Sequence, residues 1–150
     1  MARIRTIKPE FWDSPDTGKA SLRARLLFIA MWNWADDFGI GDATPIRLLG
    51  FAFPNDDISV SDFPLLGEEI AERFGVVFYE YEGRPFYYIP SWEEHQRTEK
   101  RAKQRVPFPH ELENPEIPGF LKDAQKSVGN SATESRKLYG GNRGTGEQGK

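Results

Sequence analysis

Three observations in the sequence predict a small α+β domain. A strong apolar helical pattern fills residues 21–36, and two shorter helical patterns follow it. Residues 76–90 are rich in β-branched and aromatic side chains, with a two-residue turn signal at their centre. The chain of 150 residues has room for one such domain and a tail. Only 38% of the residues are hydrophobic, yet 13% are aromatic. An aromatic-rich core joined to polar, unpacked sequence accounts for both values.

Residues 1–20 read as an arm and turn, punctuated by Pro9, Pro15 and Gly18. Phe11 and Trp12 in this stretch are large enough to need burial. Ser21 is placed to cap a helix running to about Asp36. Leu22, Leu26, Ile29 and Ala30 form one apolar stripe of that helix. Leu27, Met31, Trp34 and Phe38 form the adjacent one. Gly39 and Gly41 end it, and Phe38–Asp42 can add a short strand. Thr44-Pro45 opens a second helix, Thr as cap and Pro in the first turn, running to about Phe53. Pro54-Asn55-Asp56-Asp57 is a turn. A third helix spans about Ser61 to Phe74, where Pro64 fits only the first turn and Gly75 is the stop.

The hairpin follows. With Glu82-Gly83 as its turn, Tyr81 pairs with Arg84, Tyr79 with Phe86 and Val77 with Tyr88 on one face. Glu80 meets Pro85, Phe78 meets Tyr87 and Val76 meets Ile89 on the other. Pro85 then falls at a non-hydrogen-bonded position, where its missing N–H costs nothing. Ser91-Trp92-Glu93-Glu94 matches a capping box and opens an expected helix to about Gln104. Val106-Pro107-Phe108-Pro109 ends it. Beyond residue 110 apolar periodicity is lost, and residues 127–150 have the composition of a disordered segment. The expected domain is therefore 1–109, with 110–150 a flexible tail. The expected core gathers Leu26, Ile29, Trp34, Leu66, Ile70, Val77 and Phe86.

Helix, short strand, helix, turn, helix, hairpin is the order of a winged helix, an elaborated helix-turn-helix. In that arrangement residues 61–74 would be the recognition helix and Glu82-Gly83-Arg84 the tip of the wing. Four strings resemble a known family: the opening "ARIRTIKPEFW", "ARLLFIAMWNWADDFG", the hairpin followed by "IPSWEEHQR", and the basic run ending in "VPFP". Together they resemble the N-terminal winged-helix domain of bacteriophage and prophage replication-initiation, or replisome-organiser, proteins over residues 1–109. The resemblance implies a phage-encoded DNA-binding protein, cytoplasmic in the bacterial host and acting early in replication. Members often carry a longer C-terminal region for oligomerisation or helicase contact, and the short tail here departs from that pattern.

Charge localises the candidate DNA surface. The net charge of -3 and pI of about 5.5 are far from those of a uniformly basic nucleic-acid binder. Residues 1–34 carry six basic and three acidic side chains, and residues 93–110 carry five and three. Residues 35–74 carry two and nine. The expected recognition helix bears Glu68, Glu69 and Glu72 against one Arg73, which suits a solvated or protein-binding face better than phosphate contact.

The DNA-binding candidates are therefore on the flanks. Arg3, Arg5 and Lys8 alternate with Ile4 and Ile7 in an arm that suits a minor groove, or else a structural strand with solvated charges. Arg97, Lys100, Arg101, Lys103 and Arg105 form the densest cluster; on a helix 97, 101 and 105 share a face, suited to phosphate neutralisation. Arg84 adds one cation at the wing.

Catalysis and cofactors find little support. There is no cysteine and there are two histidines. Asp36-Asp37 lacks a Gly-rich phosphate loop and reads as a polar helix end. His95 has no nucleophile partner and reads as structural. Tyr79, Tyr81, Phe86 and Tyr88 could stack bases but are expected to pack on the helices. No apolar run reaches membrane-span length, so no membrane partner is expected. The expectation is a non-enzymatic, cofactor-free and metal-free protein whose partner is double-stranded DNA, with a helicase, helicase loader or host protein as a further partner. Two alternatives stand beside it: a phage transcriptional regulator on the same fold, and an interaction module contacting replication or host factors through its acidic helix.

Overall fold

The computed structural model describes residues 2–96 and 101–122. The chain begins with an arm, two short helices, α1 (Glu10–Asp13) and α2 (Pro15–Lys19), and the long α3 (Leu22–Trp34). Then come β1 (Ile40–Asp42), α4 (Pro45–Ala52), a 3-10 turn at Val60–Asp62, and α5 (Phe63–Phe74). The hairpin is β2 (Val77–Tyr81) and β3 (Arg84–Tyr88), followed by the single-turn α6 (Trp92–His95). The three strands form one antiparallel sheet in the order β1-β3-β2. The fold is thus α+β with a small antiparallel sheet, an arrangement compatible with a winged helix.

Local chemistry explains most boundaries. The Ser21 side chain accepts a hydrogen bond from the Ala24 N–H and caps α3. Pro64 lies in the first turn of α5, and Gly75 ends it in the left-handed conformation at φ 70°. The hairpin has the expected register, from Tyr81 opposite Arg84 to Val77 opposite Tyr88. Both turn residues, Glu82 and Gly83, have positive φ (52° and 74°), the geometry that matches strand twist across a two-residue turn. Gly41 is required where β1 crosses β3, because a Cβ there would lie 2.3 Å from the Tyr87 ring.

The core differs from expectation in its centre. Ala24, Leu27, Phe28, Met31 and Trp32 are the buried face of α3, whereas Leu26 is 53% exposed and Leu22 76%. The arm and α5 are the reason. Phe11 packs edge-on against Trp32 at 5.2 Å, and Phe28 stacks on Phe74 at 4.2 Å, so the 28/32 row gains partners that the 22/26 row lacks. Leu66 and Ile70 are buried as expected, Ile29 and Trp34 half-buried, and Val77 is 38% exposed. Phe86 is buried on the opposite side of the sheet, in a second cluster with Ile40 and Tyr79.

That second cluster overturns two expectations. The chain beyond α6 is not a helix to Gln104: Gln96 is already extended, and residues 101–105 are non-helical. The Ser91 side chain makes no capping bond either. Instead Val106, Phe108 and Leu112 lie across the outer face of the sheet, and the Tyr79 hydroxyl donates to the Pro107 carbonyl at 2.7 Å. Tyr79 and Phe86 are therefore core residues, but under this strap and not against the helices.

The chain continues past the expected boundary at 109. The Glu80 N–H donates to the Glu116 carbonyl at 3.0 Å, closing the edge of β2. Pro118 and Leu121 are buried, and Phe120 packs 4.8 Å from Phe63. Residues 110–122 belong to the fold, because their few apolar side chains fill the gap between α5 and β2. The part of the expected tail from 123 to 150 lies outside the described residues.

Candidate nucleic-acid interface

The arm is clasped to the end of α3. The Arg3 N–H donates to the Asn33 carbonyl at 2.8 Å, and the Asn33 side-chain amide donates back to the Arg3 carbonyl at 2.8 Å. The Arg5 guanidinium donates to the carbonyls of Trp32, Ala35 and Asp36 at 3.0–3.1 Å, serving the carbonyl-rich C-terminal end of α3. It lies 4.8 Å from the centre of the Trp92 ring, whose indole N–H donates to the Asp37 carbonyl at 3.0 Å. Thr6 and Gln96 exchange hydrogen bonds through both the Thr6 N–H and its carbonyl.

Asp37 is the centre of the clasp. Its carboxylate accepts from Arg3 at 2.8 and 3.0 Å and from the Ala102 N–H at 3.0 Å, and pairs with Arg5 at 3.5 Å. Burial opposes its ionisation, but the Ala102 N–H and the two guanidinium groups outweigh burial and hold the carboxyl below its ordinary range. Asp36 goes the other way: burial raises its carboxyl despite hydrogen bonds from the Ile40 and Phe38 N–H groups. The "polar helix end" is thus a joint that ties three separated strings of sequence together.

Beside this joint lies a groove of about 690 Å³. Its lining includes the rings of Trp34, Phe38 and Phe86, and the cations Arg3, Arg84, Lys103 and Arg105. Asp42 organises one rim. It pairs with Arg47 at 3.0 Å and with Arg84 at 3.5 Å, and accepts from the Thr44 hydroxyl at 2.6 Å. Burial works against the Asp42 charge, but Thr44 and Arg47 prevail and lower its titration. Among the described residues, Lys103 and Arg105 enter no ion pair. Arg101 pairs with Glu93 and lies 5.4 Å from the centre of the Phe38 ring.

The expected candidates are therefore divided. Arg3, Arg84, Lys103 and Arg105 converge on the groove, with Arg101 beside it through Phe38. Arg5 does not: its side chain is 7% exposed and fully engaged, so it is a structural residue and not a groove-reaching one. Lys8 lines a separate cavity with Phe11, Phe28 and Phe74. Arg97 and Lys100 lie outside the described residues. The shared helical face of 97, 101 and 105 is absent for the part described, because residues 101–105 are non-helical. His95 is exposed, and it is its carbonyl that bonds the Thr6 hydroxyl.

Two features escaped the sequence reading. Arg47 had no visible link to the wing until the sheet brought Asp42 between it and Arg84. The apolar stripe of the first helical pattern places Trp34 and Phe38 in the core; their half-burial at a helix end leaves them on the groove wall. Among the described residues no group of three or more His, Asp or Glu side chains is arranged to hold a metal ion, and no helix is long and apolar enough to cross a membrane. No family model, curated protein or solved structure matches the chain.

Proposed function

We propose that this chain is a non-enzymatic DNA-binding protein of phage or prophage origin, built as a winged helix, acting in replication initiation in the bacterial cytoplasm. The observation that carries the reading is the convergence of Arg3, Arg84, Lys103 and Arg105 on one groove. These side chains come from the arm, the wing and the segment after the hairpin, three regions far apart in sequence. Cations scattered over several faces would neutralise few adjacent phosphates; cations gathered at one rim release counterions together and bind. The replication role rests on the resemblance of the four strings to phage initiation proteins. A transcriptional regulator would use the same surface.

A second reading has its own support. On α5, Leu65 is exposed close to Glu68 and the exposed Glu72, a combination suited to a helicase, loader or host protein. It uses a different face and is compatible with the first.

The test is fluorescence anisotropy of the full chain with labelled DNA at about 50 and about 200 mM salt. Changing Lys103→Glu, Arg105→Glu and Arg84→Ala together should weaken binding to every sequence and flatten the salt dependence by about two to three in log–log slope. Affinity unaltered by all three changes, with folding intact by circular dichroism, would refute the groove as the DNA surface.

A further inference from the structure

The chemistry of the groove goes further and specifies the form of its nucleic acid. Two devices read duplex DNA in a fold of this element order: a helix in the major groove and a basic arm in the minor groove. Both are committed elsewhere in this chain. On α5, Glu69 accepts from the Ser21 N–H and hydroxyl at 2.6 and 2.8 Å. The face around Gly67 is closed by Phe120 and Leu121, each 3.4 Å from where a Cβ would lie. Glu68 and Glu72 dominate what is left. The arm is held by paired hydrogen bonds between Arg3 and Asn33, and Arg5 is buried.

What the groove offers instead is an apolar wall with a charged rim. Trp34, Phe38 and Phe86 line it together with Asp36, Asp37 and Asp42; of the rim cations, Arg3 pairs with Asp37 and Arg84 with Asp42, while Lys103 and Arg105 enter no ion pair among the described residues. Arg101, paired with Glu93, lies over one face of Phe38, so a base would stack on the other face of that ring or on the guanidinium plane. A B-form duplex keeps its bases stacked inside and shows phosphates outside, so it would meet the rim and leave the wall empty. A single strand can set its phosphates on the rim while turning bases against the rings, the combination that general single-strand binders use.

We infer that the groove takes a single strand of DNA, with phosphates on Arg84, Lys103 and Arg105 and a base against Phe38 and Trp34. This rests on the DNA-binding reading above and deepens it: the protein would engage DNA that is already open, holding one strand.

The experiment is anisotropy with a labelled single strand of about 16 nucleotides, enough to fill one site, and with its duplex, on the full chain at equal salt. The single strand should bind about tenfold or more tighter, since stacking one or two bases accounts for that much. The three phosphate-bearing cations give an expected log–log salt slope of about -2 for single-stranded DNA. Phe38→Leu keeps an apolar side chain and removes the ring. It should weaken single-strand binding about fivefold or more and leave duplex binding unaltered. A duplex that binds as well as the single strand, with Phe38→Leu without effect, overturns the single-strand inference and leaves the DNA reading standing. No binding of either form at low salt overturns both. A measurement on the unaltered protein guards against a variant that fails to fold: photocrosslinking of a strand containing 5-iododeoxyuridine should place adducts on Trp34 or Phe38. Adducts confined to α5 would refute the inference.

Discussion

Replacing Arg5 with alanine should be among the most damaging single changes in the arm, and its cost can be worked from the clasp. The guanidinium serves the carbonyls of Trp32, Ala35 and Asp36 and lies beside the Asp37 carboxylate. A buried acceptor left unpaired costs about 1–3 kcal/mol. The Asp36 carbonyl keeps the Gly39 N–H at 3.2 Å, and Arg3 on the neighbouring side is 44% exposed, so the lower part of that range applies to the two carbonyls of Trp32 and Ala35. Asp37 retains Arg3 and the Ala102 N–H, which limits the electrostatic loss. The sum is about 2–3 kcal/mol, a substantial share of the roughly 5–15 kcal/mol that holds a domain together. Arg3→Ala removes a half-exposed pair and should cost only about 1 kcal/mol. Urea unfolding, followed by tryptophan fluorescence, measures both. Equal losses for the two variants, within about 0.5 kcal/mol, would refute the claim that Arg5 is the structural residue of the arm.

Three further outcomes follow from the core and the clasp. Leu27→Ala should destabilise by about 2–5 kcal/mol and Leu26→Ala by less than about 1 kcal/mol, a contrast that urea titration of the two variants resolves. Limited proteolysis should yield a core that includes Leu121, and truncation after residue 109 should lower the melting temperature, because it uncovers Phe63 and Phe78; an unaltered melting temperature contradicts this. Asp37 has its carboxyl lowered in the folded protein. Its contribution is therefore fully present above the ordinary carboxyl value, near 3.8, and is lost as pH falls below it. Between about pH 6 and about pH 3 the unaltered protein should lose more stability than Asp37→Asn does. Asp36, shifted upward by burial and further by the Asp37 charge, contributes with the opposite sign in both proteins, and less so in Asp37→Asn, which narrows the contrast.

Local chemistry was legible in the sequence; wrapping was not. The Ser21 cap, Pro64, Gly75 and the Glu82-Gly83 turn each act within a few residues, so the helices and the hairpin register could be read from them. The rotation of α3 could not, because apolar side chains occur on both of its sides; Phe11, from a segment with no periodicity, and Phe74 of α5 decide it by packing on Trp32 and Phe28. The residues after Ser91 show a helical charge pattern, but Phe108 and Leu112 have aromatic partners on the outer sheet face, and tertiary contact overrides a weak local preference. The boundary at 109 failed for the same reason: Pro118, Phe120 and Leu121 are too few to form a pattern, yet enough to fill one gap. At the site, the flanking charge excess was visible as an excess. That Arg3 and Arg84 would share a groove while Arg5 turned inward depends on their pairing with Asp37 and Asp42, tens of residues away in sequence.

The central claim is that DNA is held in the groove and not on α5. Its most direct test is an amide chemical-shift map of the full chain titrated with single-stranded DNA. Perturbations should gather at Phe38, Gly41, Arg84, Ala102 and Lys103, with the indole N–H of Trp34 among the largest, while Glu68 and Glu72 stay silent. Perturbations that gather along α5 and leave the groove unmoved would contradict it.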